Sequence, residues 1–254
     1  MMNDLQKMDL QEMEQEKSVL RWGGLAGMLG SVIFVVTFVF VGVFVGDESA
    51  AVDWVERFPE IRWARTVENS LFLVVLILWV PHFLALYRAL RHESLAPALF
   101  GSVLGILGLV VLAAEALPHV AQAPISDLYH APGTTPEDQA TLVFLWQATQ
   151  SILDAMFIVG LVLLPIGLVC LGVAMLRAPA FGKGFGGASV VLGALGVGGA
   201  SLLLVDPDSV LGAMVSVFAL IIFHFVLGWR VYRLSRHPAG IIEDRQDEYI
   251  ESIK

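Results

Sequence analysis

Charge is scarce in this chain. Only 15% of its 254 residues are Asp, Glu, Lys or Arg, against about 25% in an ordinary soluble domain, and mean hydropathy is +0.76. A disordered chain, a collagen and a soluble globular protein are excluded on that ground. There is one cysteine, Cys170, inside an apolar run, so an intrachain disulfide and a cysteine-cluster metal site are excluded. Basic residues are in the minority and the net charge is −9, which argues against nucleic acid as a partner. The chain also lacks a signal-like start. Its first twenty residues are polar and carry Asp4, Asp9, Glu12, Glu14 and Glu16 rather than a short basic segment.

What is present is six long apolar runs free of Asp, Glu, Lys and Arg: 23–46, 70–87, 94–114, 155–176, 184–205 and 209–229. About 20 helical residues cross a bilayer core. In hydrocarbon every backbone amide must be paired within its own segment, so these runs predict helices. Their continuous apolarity excludes the alternation of a membrane barrel. The expected fold is all-α: one bundle of six transmembrane helices, over about 23–46, 69–91, 94–117, 150–177, 184–205 and 208–233. A polar segment (1–20) precedes this membrane domain (21–236), and an acidic, mobile tail (237–254) follows it.

Orientation follows from the arginines and lysines. With the N-terminus inside, 12 of the 15 basic residues fall on the inner side, and only Arg57, Arg62 and Arg65 lie outside. The positive-inside rule then places both termini in the cytoplasm, in a cytoplasmic membrane. Thirteen of the 24 acids lie outside, leaving that face at −10 and the inner face at +1. Such a face attracts cations.

The segments between spans carry their own signals. In 47–67, Trp54, Phe58 and Trp63 among charges predict a short amphipathic stretch lying at the interface. Residues 118–140 read as a Pro-, Ala- and Gly-rich loop ending in Thr135-Pro136-Glu137-Asp138, a helix start with a capping hydroxyl, proline at the first position and acids on the positive end. The fourth helix is therefore expected to run from Pro136 to Leu176, about 60 Å, and to protrude, tilt or kink at Pro165. The glycine-rich stretch 182–187 has no strand before it and predicts a flexible inner loop.

Small residues recur at packing intervals: Gly23 and Gly27, Gly101 and Gly105, and Gly193, Gly196 and Gly199. They predict close helix contacts, within a monomer before a dimer. Residues 103–109 and 191–197 agree at five of seven positions, and each follows a proline-bearing span that ends in arginine. A parallel repeat and chance in a Leu/Gly-rich sequence both account for that.

Polar groups at depth carry the candidate chemistry. Glu68, Glu115 and Asp154 each lie 20 to 23 residues from the inner boundary, which puts all three carboxyls at one outer height on three helices. His119 follows Glu115 by one turn. Gln147, Gln150 and Asp154 form one helical stripe, Asn69 adjoins Glu68, and Arg62 and Arg65 are near enough in sequence to neutralise the acids. These residues suit a salt-bridged clamp between helices, a vestibule for a small ligand, proton or cation, or a divalent metal; no HExxH or histidine triad supports the metal. Two histidines lie within the hydrocarbon, His82 and His224, each six residues before an arginine. At one depth on two helices they suit haem ligation, proton handling, or hydrogen bonds to a backbone carbonyl or to the neighbouring helix. No P-loop, nucleophile elbow or dinucleotide fingerprint is present.

The stretches 21–27 (RWGGLAG), 83–90 (FLALYRAL) and 104–109 (LGILGL) resemble a prokaryotic six-span family described only as a domain of unknown function. The resemblance covers about 21–236. It implies an integral membrane protein and transfers no catalytic residue. The functional expectation is a non-enzymatic binding or accessory protein with an outer acidic vestibule. Its partners would be the bilayer, a small ligand or another membrane subunit. It would need no cofactor, unless haem at His82 and His224 makes it a redox protein, or a metal at Glu68, Glu115, His119 and Asp154 makes it a hydrolase; an ion-coupled transporter would use the same four residues.

Overall fold

The structure is a computed structural model that describes residues 2–46, 51–207 and 209–236. Seven helices make it up: α1 (Met2–Phe44), α2 (Ala51–Leu90), α3 (Leu95–Ala114), α4 (Ala116–Tyr129), α5 (Pro136–Arg177), α6 (Gly182–Val205) and α7 (Val210–Arg236). Six are long and apolar enough to cross a membrane when α3 and α4 are counted as one run. The protein is a multi-pass, all-helical membrane protein. Its outer surface agrees: Val39, Phe100, Val110 and Val191 are each more than half exposed, an arrangement that suits lipid tails and not water. The acidic tail lies outside the described residues.

Three helices are far longer than a bilayer needs. α1, α2 and α5 have 43, 40 and 42 residues, or about 60–65 Å each. α5 starts at Pro136 as expected, and the Thr135 hydroxyl accepts from the Asp138 amide while the Asp138 carboxylate accepts from the Thr135 amide. Two expectations for the segments between spans need correction. Residues from Ala51 onward do not form a separate stretch along the interface; they are the first turns of α2, whose helix continues through Pro59. The proline-rich loop contains α4. Pro118 has no amide hydrogen to offer Ala114, so α3 stops there, but its preset φ suits the first turn of the helix that follows. The polar start is also helical: α1 runs without a break from Met2 into the membrane span.

The projecting halves of α2 and α5, with α4, build a second core. Val55, Phe58, Tyr129 and Trp146 are its buried members. Phe58 and Trp146 meet edge to face at 5.3 Å. The Tyr129 hydroxyl donates to Glu56 at 3.0 Å, Ser126 Oγ donates to the Val55 carbonyl at 3.2 Å, and Arg62 pairs with Asp127. Outside hydrocarbon such a cap needs an apolar centre of its own.

Within the bilayer, glycines set the helix spacing. A Cβ on Gly101 would come within 2.8 Å of the Gly167 carbonyl oxygen and the Leu171 amide nitrogen of α5. Gly193 is equally tight against Pro165 and Val169 of α5, and Gly199 against Ser216 and Gly212 of α7. Gly23 and Gly27 face Pro81, Ala85 and His82 of α2. Every glycine in the expected small-residue stripes is thus spent inside one chain. The flexible loop expected at 182–187 is corrected as well. α6 begins at Gly182, because Gly186 packs its backbone against Leu176 of α5 and helical pairing proceeds from there.

Candidate functional site

At the acid-rich end, the residues singled out in the sequence meet where α2, α5 and the α3–α4 junction come together. Glu115 is that junction. It keeps helical dihedrals (φ −57°, ψ −26°), so the chain bends there without unwinding. The Glu115 side chain is 9% exposed, and its Oε2 has no hydrogen-bond partner among the described residues. Asp154 of α5 and Glu68 of α2 are both within electrostatic reach of it.

The neighbouring groups make polar contacts of their own beside this carboxyl. Arg65 Nη1 donates to Glu68 Oε2 at 2.9 Å. His119 is near enough to Gln122 and to the Arg65 guanidinium to interact with both. Gln122 Nε2 donates to Gln150 Oε1 at 3.0 Å, and Gln150 Nε2 donates to Asp154 Oδ1 at 3.0 Å. Glu68, Glu115, His119, Gln150 and Asp154 are therefore one constellation. Gln147 is exposed, Asn69 is half-buried, and neither makes a side-chain hydrogen bond to it among the described residues. Arg62 goes elsewhere, to Asp127 and the Ala123 carbonyl.

Gln122 is the member that sequence reading missed. It sits in a stretch that reads as loop, and its 3.0 Å bond to Gln150 ties α4 to α5. The signal was its place at i+3 from His119, visible only once α4 is known to be a helix. Two carboxyls lie within electrostatic reach of Glu115 here, and Arg65 pairs with one of them, Glu68. Among the described residues, no three His, Cys, Asp or Glu side chains stand close enough to hold a metal ion. The donor set does not fit the divalent metal considered from the sequence.

The two intramembrane histidines also meet. The His82 and His224 rings are 5.1 Å apart between centroids at 63°, and both residues are fully buried. His82 Nδ1 is 3.1 Å from the Gly23 carbonyl oxygen of α1. His224 is stacked on Trp79 at 3.9 Å and 10°, with the Phe83 ring at its edge. His82 Nε2, both nitrogens of His224 and the Trp79 indole nitrogen have no partner among the described residues. Haem does not fit. With metal–nitrogen bonds of about 2 Å, axial imidazoles on opposite faces need centroids about 6 Å apart with a porphyrin between them. Here the rings contact each other at 5.1 Å, and Trp79 covers the face of His224.

No curated protein and no solved structure matches the chain. Residues 43–236, most of the chain and all of both polar constellations, match a family model described as "Domain of unknown function (DUF4386)". The match spans more than half of the chain, and the chain belongs to that family.

Proposed function

We propose that this protein is a binding or accessory protein of the cytoplasmic membrane, with both termini in the cytoplasm. Its acid-rich outer end would receive a small organic cation at Glu115. The basic residues support the orientation. Arg88, Arg91, Arg177, Arg230, Arg233 and Arg236 all gather at the end where α2 and α7 finish.

One observation carries the binding reading: a nine-tenths buried carboxyl with an unpaired oxygen, beside two further carboxyls. The one guanidinium nearby is already committed to Glu68. An incoming ammonium group supplies what such a carboxyl lacks, a charge-assisted hydrogen bond and a counter-charge in a site of low dielectric. The cluster is too open to chelate a metal. An alkylammonium, which needs only one or two directional contacts, suits that spacing.

The test is a thermal midpoint of the full chain in detergent, titrated with ethylammonium chloride and with sodium chloride. Wild type should gain a saturable stabilisation with ethylammonium alone, reaching about 2.7 kcal/mol at a hundredfold excess over Kd. Glu115→Gln should lose that response. Equal responses in the two proteins, or one that never saturates, would overturn the reading.

A further inference from the structure

At the opposite end of the bundle, α1 and α7 cross with almost no gap. A Cβ on Gly24 would lie 2.6 Å from the Tyr232 amide nitrogen, and one on Gly228 would lie 2.8 Å from the Gly24 carbonyl oxygen. Beyond that crossing α1 and the end of α7 flank an open groove of about 520 Å³. Lys17, Ser18, Arg21 and Trp22 line it from α1, and Ser235 and Arg236 from α7. The α1 residues form two adjacent pairs four residues apart, which puts them on one stripe along the helix.

The charge of this groove is one-sided. Lys17, Arg21 and Arg236 face a single acid, Glu14. The next acid along α1, Glu16, is taken up by Arg88 of α2 at 3.4 Å. Among the described residues neither Lys17 nor Arg21 has an ion-pair partner. The Arg236 guanidinium is braced over the Tyr232 ring at 4.6 Å from its centroid. Its height is marked by aromatic residues. Trp22 is 66% exposed at the start of the apolar run, and Arg233 lies over Trp229 on the neighbouring helix. Tryptophan with arginine at the end of an apolar span marks the headgroup layer.

We infer that this groove binds the phosphate headgroup of an anionic phospholipid. Three cationic donors and two serine hydroxyls surround an opening at the height where lipid phosphates lie. The exposed Trp22 indole offers an apolar wall to the acyl chains below. Basic pockets between helix ends recognise anionic headgroups by this combination of charge and depth. The groove is at the other end of the molecule from Glu115, so this inference stands or falls separately from the proposed function.

Native mass spectrometry of the full chain in mild detergent tests it, with phosphatidylglycerol and phosphatidylcholine of matched acyl chains as probes. Wild type should bind phosphatidylglycerol in preference, and millimolar inorganic phosphate should leave the adduct in place. Arg21→Gln with Arg236→Gln should weaken phosphatidylglycerol about 30-fold, at about tenfold per 1.4 kcal/mol and one basic contact each. Arg91→Gln with Lys183→Gln, at the same end but outside the groove, should bind as wild type does. Should the double arginine variant fail to fold, Ser18→Glu puts a repelling charge in the same opening and should give the same loss. An unchanged lipid preference in the groove variants, an equal loss in the Arg91 and Lys183 control, or displacement by free phosphate would each overturn the assignment.

Discussion

Replacing glycine by alanine at two places on α6 should move stability in opposite directions. Gly198 faces outward with nothing within 4 Å of where an added methyl would sit, whereas a Cβ on Gly193 would stand 2.8 Å from both the Pro165 carbonyl oxygen and the Val169 amide nitrogen. In an open helix position alanine is better than glycine by about 0.5–1 kcal/mol, so Gly198→Ala should stabilise by about that amount. At Gly193 the same gain is opposed by overpacking. A carbon needs about 3.4 Å or more from such atoms, and because the obstacle is backbone, α5 and α6 must separate by roughly 0.6 Å along their shared seam. Overpacking of that kind costs about 1–3 kcal/mol, which leaves Gly193→Ala less stable than wild type by up to about 2.5 kcal/mol. The two variants should therefore differ by the overpacking cost, about 1–3 kcal/mol. Equilibrium unfolding of the full chain in mixed micelles, with the wild type alongside, measures this. If Gly193→Ala proved as stable as Gly198→Ala, the claim that glycine contacts set the α5–α6 distance would be refuted.

Other perturbations follow from the same contacts. His224→Phe should be close to neutral in stability, because both ring nitrogens are buried without partners and phenylalanine keeps the face stacked on Trp79; a loss above about 2 kcal/mol in the same unfolding assay would show that an unseen group bonds the imidazole. Trp146→Ala should release the cap built by α4 with the first halves of α2 and α5, since the ring is buried against Phe58 and such truncations cost about 3–5 kcal/mol; limited proteolysis should then cut between α4 and α5 while the apolar helices stay intact, and an unchanged digest would count against a separate second core. The Thr135 hydroxyl and amide hold the Asp138 carboxylate below its ordinary value of 3.8. A depressed folded value means the cap contributes fully above that pH and weakens as pH falls through it. Protection of the first α5 amides, taken relative to their intrinsic exchange rates at each pH, should accordingly fall in acid in wild type and already be low at neutral pH in Thr135→Ala, whereas equal protection in both at neutral pH would remove the cap from the account.

The sequence by itself determined that this chain is built of apolar helices long enough to cross a membrane. Hydrocarbon leaves backbone amides no partner outside their own helix, so run length and the absence of charge were enough to find six such helices and the capped start of α5. It misjudged the segments beyond the bilayer. There water competes for the backbone, and helicity depends on a partner distant in sequence: Val55 and Phe58 on Trp146 and Tyr129 for the start of α2 and for α4, or Leu176 under Gly186 for the start of α6. Height is also only one coordinate. Rotation of each helix about its axis decides which groups at one level meet, and that rotation comes from glycine seams and prolines. Only the tertiary structure showed that Gln122 joins Gln150 and Asp154 in one chain of hydrogen bonds while Gln147 is exposed. Only it showed that His82 and His224 touch directly, with Trp79 on one face, which leaves a porphyrin no space.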